Sequence, residues 1–164
     1  MGWFIWLIAA IFYAYEFTQR VAPSVMVPEM MASLHLDAAA MGSFSAYYFY
    51  AYGLLQIPAG LLLDHFGPKK WLSIASILIT LCSLGLAYTQ TLWLAKILRL
   101  GIGAGSAFAF LGCIQLARHW LKESHIHIVV GLTNLAGIFG ALLGGAPLAY
   151  SVITFGWQKT FVIL

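Results

Sequence analysis

The sequence has 164 residues, of which 62% are hydrophobic, 15% are aromatic and only 8% are charged, and its formal net charge is +3. Mean hydropathy is +0.91. So much apolar side chain exceeds what a soluble domain of this size can bury, which excludes a soluble globular protein. The composition predicts an all-α membrane protein, a polytopic bundle of transmembrane helices in a lipid bilayer.

Long runs without Asp, Glu, Lys or Arg mark the predicted spans, since a helix needs about 20 mostly apolar residues to cross a bilayer. Met1 and Gly2 offer neither the basic region nor the cleavage site of a signal peptide, so the first span is expected to be retained. A sixth hydrophobic element opens at Thr160, and the sequence ends at Leu164. The five preceding spans are predicted at 3–27, 39–63, 71–88, 92–117 and 127–152.

Basic residues fall in alternate connections between these spans. Lys69 and Lys70 lie in the second connection, and Arg118 and Lys122 lie in the fourth. The first and third connections carry none, and the fifth carries only Lys159. Because short loops rich in Lys and Arg stay in the cytoplasm, we expect a multi-pass protein of the cell inner or plasma membrane with a cytoplasmic amino terminus.

Charged residues inside the predicted spans indicate the kind of solute. Lys96 is close enough to the outer end of its helix to reach the interface. Arg20 and Arg99 each lie roughly 10 Å deep and are expected to face one cavity. Glu16 is one turn from Arg20 and either pairs with it or loads and releases a coupling proton. Three cations against one anion predict an anionic substrate, although an amino acid fits Arg20 with Glu16 nearly as well.

Uncharged polar side chains in the same helices are further candidates for binding the solute. Tyr13 and Tyr48 are predicted either to line a cavity or to pack between helices. Asn134 and Gln115 either join neighbouring helices or face substrate. We therefore take the substrate-binding set to be Arg20, Arg99, Glu16, Tyr13, Tyr48 and Asn134.

The stretch GLLLDHFGPKKWL at 60–72 carries charges that local helix stability does not favour. Asp64 lies at a helix carboxyl terminus and Lys69 and Lys70 lie near a helix amino terminus, opposite to the preference of the helix dipole. The lysines are explained as topology anchors, but Asp64 needs a partner. The candidates are these lysines, Arg118, or the amino terminus of a helix outside this chain.

Glycines in this stretch have separate predicted uses. Gly67 fits a turn position with positive φ, and Gly60 allows another backbone to come close. The pattern Gly60, Asp64, Gly67, Lys69 and Lys70 resembles the signature loop between the second and third helices of the major facilitator superfamily, except that His65 stands where the family usually has a permanent cation.

Three later segments resemble the same family. RLGIGAGSA from Arg99 is similar to its glycine-rich fourth helix. GLTNLAGIFGALLGGAPLA from Gly131 is similar to its fifth, with Ala141 where antiporters usually carry proline. FGWQKTF at 155–161 resembles the start of its sixth helix. QRVAPS at 19–24 loosely resembles the first helix of the organic-anion symporters of the superfamily, in which arginines on the first and fourth helices bind the substrate.

The resemblance implies the amino-terminal half of a transporter that moves a small polar solute, an organic anion or an amino acid, by alternating access, with protons as a candidate coupling ion. It implies that the remaining half is a partner, because family members have twelve helices. Conformational gating is expected of Gly60, Asp64, Gly67, Lys69, Lys70 and Arg118. The alternative is a truncated or split transporter fragment that is inactive without the missing carboxyl-terminal helices.

Other functional classes find little support in the sequence. It contains no nucleotide-binding loop, no nucleophile with a base, and no metal constellation, so neither an enzyme nor a cofactor is expected, and nucleic acid is not an expected partner. Cys82 and Cys113 are interpreted as packing thiols. His119, His125 and His127 are interpreted as part of a solvated cytoplasmic loop.

Overall fold

The computed structural model describes all 164 residues and contains only helices and their connections. The fold is all-α, as predicted. A short 3₁₀ helix, Glu123–His125, precedes α6. The α helices are α1 Gly2–Leu34, α2 Ala38–Phe66, α3 Pro68–Tyr88, α4 Leu92–Ser106, α5 Ala109–Trp120, α6 Ile126–Leu143, α7 Ala146–Phe155 and α8 Trp157–Ile163.

Two of the predicted spans each consist of two helices. The fourth is α4 followed by α5, with a break at Ala107 and Phe108, and the fifth is α6 followed by α7, with a break at Gly144 and Gly145. Pro147 lies in the first turn of α7, where its missing N–H has no helical partner to lose. Three helical stretches are long and apolar enough to cross a membrane, namely Pro68–Tyr88, Leu92–Trp120 and Glu123–Phe155.

The longest helix, α1, runs beyond the predicted span to Leu34, although Pro23 and Pro28 lie inside it. His35 ends it in the left-handed conformation, with φ 50°, and donates its N–H to the Met31 carbonyl. The sixth element begins at Trp157, slightly before the expected Thr160.

Glycine turns with nearly the same backbone conformation end α2 and α7. Gly67 has φ 82°, as predicted, and donates its N–H to Leu63. Gly156 has φ 81° and donates its N–H to Val152. A residue with a Cβ adopts such a φ only with strain, so glycine permits both reversals of the chain.

Close glycine contacts hold the centre of the bundle together. The first helix packs on α5 and α6, while α4 packs on α2 and α3. A Cβ added to Gly140 of α6 would lie 2.0 Å from the Ala14 carbonyl oxygen, and one added to Gly103 of α4 would lie 2.2 Å from the Tyr48 carbonyl oxygen. Thr18 also donates a hydrogen bond to the Gly140 carbonyl, at 2.8 Å. These contacts join α1 closely to α6 and α2 closely to α4.

Candidate functional site

Glu16, Arg20 and Tyr48 form a compact polar cluster between α1 and α2. The Arg20 Nε and Nη2 atoms lie 3.2 and 3.0 Å from the same Glu16 oxygen, Oε1. The Tyr48 hydroxyl donates to that oxygen and accepts from Arg20 Nε at 2.9 Å. The other carboxylate oxygen, Oε2, is buried and has no partner. The one ion pair of the structure therefore lies inside the bundle, where a charged side chain is expensive without a partner.

The outer edge of the Arg20 guanidinium remains free. Glu16 and Tyr48 engage Nε and Nη2, while Nη1 makes no hydrogen bond and is not among the buried atoms that lack a partner. The side chain is 18% exposed. Its central carbon lies 4.4 Å from the ring centroid of Phe17 and 4.6 Å from that of Tyr52. Arg20 thus has an unbonded Nη1 atom that is not fully buried, and its guanidinium contacts two aromatic rings.

Arg99 has a different environment from the one expected. Its side chain is 1% exposed, and its Nη1 and Nη2 atoms donate to the carbonyls of Gln19 and Arg20, at 2.8 and 2.9 Å. Pro23 stands four residues after Gln19 and has no N–H to bond that carbonyl in the helix. Arg99 supplies the missing donor. In this conformation Nη1 and Nη2 of Arg99 face backbone carbonyls of α1, and the expectation that both guanidiniums face one cavity stays a prediction.

Gln19 is a buried polar residue that the sequence reasoning missed. Its amide nitrogen donates to the hydroxyls of Tyr15 and Ser83, each at 2.9 Å, which joins α1 to α3. Its place deep in the first predicted span was the available signal, because a glutamine in an apolar helix usually needs partners from a neighbouring helix.

The other two candidate ligands make no hydrogen bond to this cluster. Tyr13 is buried, and its ring packs against Phe17 and Phe110, with centroids 5.5 Å away in each case. Asn134 is exposed on α6, and its side chain donates to the Val130 carbonyl of its own helix at 3.0 Å. Neither residue hydrogen bonds to Glu16, Arg20 or Arg99, so the structure does not bring the predicted set together as one site.

Asp64 has a partner that the sequence analysis did not assign to it. Gln115, near the end of α5, donates its side-chain amide to Asp64 Oδ1. No ion pair joins Asp64 to Lys69, Lys70 or Arg118. The three candidate cations therefore do not pair with it in this conformation, and the remaining candidate, the amino terminus of a helix outside this chain, stays a prediction.

Gly60 and the lysines of this loop remain open to other partners. A Cβ on Gly60 would meet no atom within 4 Å, so the close backbone approach expected there is not made within this chain. The Lys70 ammonium lies 5.6 Å from the Phe66 ring centroid, and Lys96 lies 5.5 Å from that of Tyr47.

An apolar groove of about 440 Å³ runs between the first halves of α1 and α3. Its lining includes Ile5, Phe12, Leu72 and Leu116, with Lys69 at one end, and none of the candidate substrate residues. A mostly apolar lining does not suit a small polar solute. The polar cluster at Arg20 is therefore the better candidate site.

A helical bundle that is apolar outside and holds a buried ion pair and a buried arginine inside is a polytopic membrane protein with a polar interior. Comparison with known proteins identifies the particular family. The family model of the Major Facilitator Superfamily matches residues 5–164, and the chain belongs to that superfamily.

Curated relatives are transporters by name. The chain is 30% identical over 162 residues to an "Uncharacterized transporter" of Bacillus subtilis, covering 99% of this chain and 37% of the relative. It is 23% identical to a "Probable sulfoacetate transporter" of Cupriavidus necator, covering 96% and 36%. It is 24% identical to a "Hexuronate transporter" of Bacillus subtilis, covering 91% and 35%. The chain thus spans little more than a third of these relatives' length.

Proposed function

We propose that this chain is part of a secondary transporter that moves a small organic anion by alternating access, and that Arg20 binds the anion's carboxylate. The free guanidinium edge of Arg20 carries the proposal, because two adjacent N–H groups match the two oxygens of a carboxylate. Glu16, Arg20 and Arg99 also leave a net positive charge in the bundle, which an anion would neutralise. The names of the sulfoacetate and hexuronate transporters support an organic acid rather than an amino acid.

Arg99 has an indirect role in this proposal. Its Nη1 and Nη2 atoms donate to the Gln19 and Arg20 carbonyls, while its buried Nε has no partner, so it fixes the part of α1 that carries Arg20. It is a positioning residue, and its charge favours an anion nearby without touching it. Tyr48 orients Arg20 through its hydroxyl. Tyr13 and Asn134 remain proposals for contacts in another transport state.

Glu16 is the acid that we propose for proton coupling. As a carboxylate it accepts three hydrogen bonds on Oε1, two of them from Arg20. A proton on Glu16 would remove the ion pair and free Arg20 for the solute anion, so proton and anion would bind together, as a symporter requires. Release of the proton or of the anion would favour the re-formed ion pair between Glu16 and Arg20.

The loop after α2 is proposed to gate the conformational change. Asp64 and Gln115 join the ends of α2 and α5 through a single hydrogen bond that can break without unfolding a helix. Gly67 gives the turn its shape. No ion pair within this chain involves Lys69, Lys70 or Arg118, and a Cβ on Gly60 would meet no atom. We propose that these four residues contact the remaining half of the transporter.

The share of the relatives' length covered by this chain leaves one alternative. With 36 to 37% of the first relatives matched, the chain by itself is either a working part of a longer or two-chain transporter, or a fragment without activity. Uptake is compared in cells that express residues 1–164 alone and in cells that also express a chain with the remaining helices. Uptake only with the second chain indicates a working part, and no uptake in either case indicates a fragment without activity.

Uptake of radiolabelled glucarate and hexuronate by the complete protein, in membrane vesicles, tests the proposal. We expect Arg20→Gln to lower uptake at least about tenfold, because a tenfold loss needs only about 1.4 kcal/mol of the binding energy. In Glu16→Gln an inward proton gradient should no longer accelerate solute uptake, while exchange of labelled for unlabelled solute across the membrane should remain. Lys96→Gln is the matched control, since Lys96 lies in the same bundle but contacts Tyr47. Normal uptake by Arg20→Gln would refute the proposal.

A further inference from the structure

The surroundings of Arg20 indicate which oxyanions it accepts. We infer that Phe17 and Tyr52 form a slot that admits a planar carboxylate to Arg20 and disfavours tetrahedral oxyanions such as sulfonates and phosphonates. The inference rests on the proposed function, and it adds the selective feature and the two residues responsible for it.

The slot is built from two helices. Phe17 is one turn before Arg20 on α1, and Tyr52 is on α2. Their ring centroids lie 4.4 and 4.6 Å from the guanidinium carbon, which are contact distances for a cation and an aromatic ring. Tyr52 is held in turn by Tyr48, whose ring is stacked with it at a centroid distance of 5.9 Å and an angle of 12°. The Phe17 ring in turn contacts the Tyr13 ring, with centroids 5.5 Å apart. Both rings therefore have packing partners before any ligand arrives.

Hydrogen bonding restricts the approach further. Glu16 and Tyr48 engage Nε and one side of Nη2, so the remaining donors are Nη1 and the outer hydrogen of Nη2. These donors lie in the guanidinium plane. A ligand that uses both must bring two oxygens into that plane, next to the Phe17 and Tyr52 rings that contact the guanidinium carbon.

The shape of the anion then decides how well it fits. A carboxylate is planar, and both of its oxygens fit in the guanidinium plane. A sulfonate or phosphonate that places two oxygens there projects its third oxygen out of the plane, towards an aromatic face. Ring faces carry partial negative charge, so an anionic oxygen meets both a steric and an electrostatic penalty.

Three ligands that differ only in the head group test the slot: 3-hydroxypropionate, 2-hydroxyethanesulfonate and 2-hydroxyethylphosphonate. Their inhibition constants are measured against uptake by the complete protein. We expect the carboxylate to bind about tenfold or more tightly than either tetrahedral anion, within the range that pocket shape can supply. In Phe17→Leu and in Tyr52→Leu this ratio should fall severalfold, because the flat wall is lost. Tyr47→Leu, an aromatic substitution away from Arg20, should leave the ratio unchanged.

Arg20→Lys provides a second arm that does not depend on the walls. Lysine keeps the charge but has no planar fork, so it should still bind anions and should lose the preference for carboxylate. Equal binding of the three anions to the unmodified protein, or an unchanged ratio in both wall variants, would overturn the slot while anion transport stands. Normal uptake by Arg20→Gln would instead overturn the proposed function and the slot with it.

Discussion

Arg99 and Pro23 lie on different helices but act on the same carbonyl group. Proline inside a helix leaves the carbonyl four residues earlier without its helical donor, here that of Gln19. The Arg99 guanidinium occupies that position at 2.8 Å. A buried carbonyl left without a donor costs about 1–3 kcal/mol, so Arg99 makes Pro23 tolerable in α1.

A double-mutant cycle tests this pairing. Arg99→Met should destabilise the protein less when it is combined with Pro23→Ala, because alanine restores the backbone N–H that the Gln19 carbonyl needs. We expect a coupling energy of about 1 kcal/mol from unfolding of the purified protein in detergent. The control pair is Arg99→Met with Pro28→Ala, since Arg99 does not contact the carbonyl that Pro28 leaves free. Equal additivity in both pairs would contradict the pairing.

Residue roles were only partly predictable from the sequence. The spacing of Glu16 and Arg20 gave their ion pair, because residues four apart share one face of a helix. The partners of Arg99 were not predictable, since a backbone carbonyl leaves no mark in a pattern of side chains. Gln115 as the partner of Asp64 was missed for another reason. A cation or a helix amino terminus was expected to contact this carboxylate, and the neutral side-chain amide of Gln115 donates to it instead.

At the level of helices, glycine sets how closely neighbours approach. The positions of the helices followed from uncharged runs, and the breaks at Ala107 and Gly145 did not, because an uninterrupted apolar run does not show where the helix inside it is interrupted. Gly140 and Gly103 lie at backbone contacts, whereas Gly131 and Gly60 meet nothing within 4 Å. A glycine-rich helix therefore contains glycines with very different consequences.

Substitutions of two glycines in α6 are expected to differ in effect. In Gly140→Ala the new methyl group would lie 2.0 Å from the Ala14 carbonyl oxygen, so α1 and α6 must separate, at a cost of about 1–3 kcal/mol. In Gly131→Ala the methyl group meets no atom, and helix propensity favours Ala by up to about 1 kcal/mol. Thermal unfolding midpoints of the two variants in detergent provide the measurement. A similar shift of the two midpoints would contradict the expectation that the contact between Gly140 and Ala14 limits how closely α1 and α6 pack.

For the whole molecule, the distribution of basic residues and the membrane family define a multi-pass protein, and its orientation remains a prediction. The lysine face of the bundle carries Lys69 and Lys70 beside His119, which follows Arg118 in the chain. The connection at Thr89 and Gln90 lies at the opposite end of α3 from the lysines. The proposed topology places the lysine face, with the gating loop, in the cytoplasm.

Cysteine labelling in intact cells tests the orientation. In a background with Cys82 and Cys113 replaced by Ala, Lys69→Cys and Gln90→Cys each place one thiol at an exposed position. We expect a membrane-impermeant maleimide to label Gln90→Cys directly and Lys69→Cys only after permeabilisation. The reverse pattern would place the amino terminus outside.

The turns at Gly67 and Gly156 share a backbone conformation but differ in the number of lysines that follow them. Their φ values, 82° and 81°, are almost the same, yet two lysines follow the first and only Lys159 follows the second. In an alternating topology these turns face opposite sides of the bilayer. If the proposed orientation holds, the same turn geometry serves on both sides of the bilayer, and we expect that moving the two lysines to the Gly156 turn would favour the opposite orientation without changing either turn.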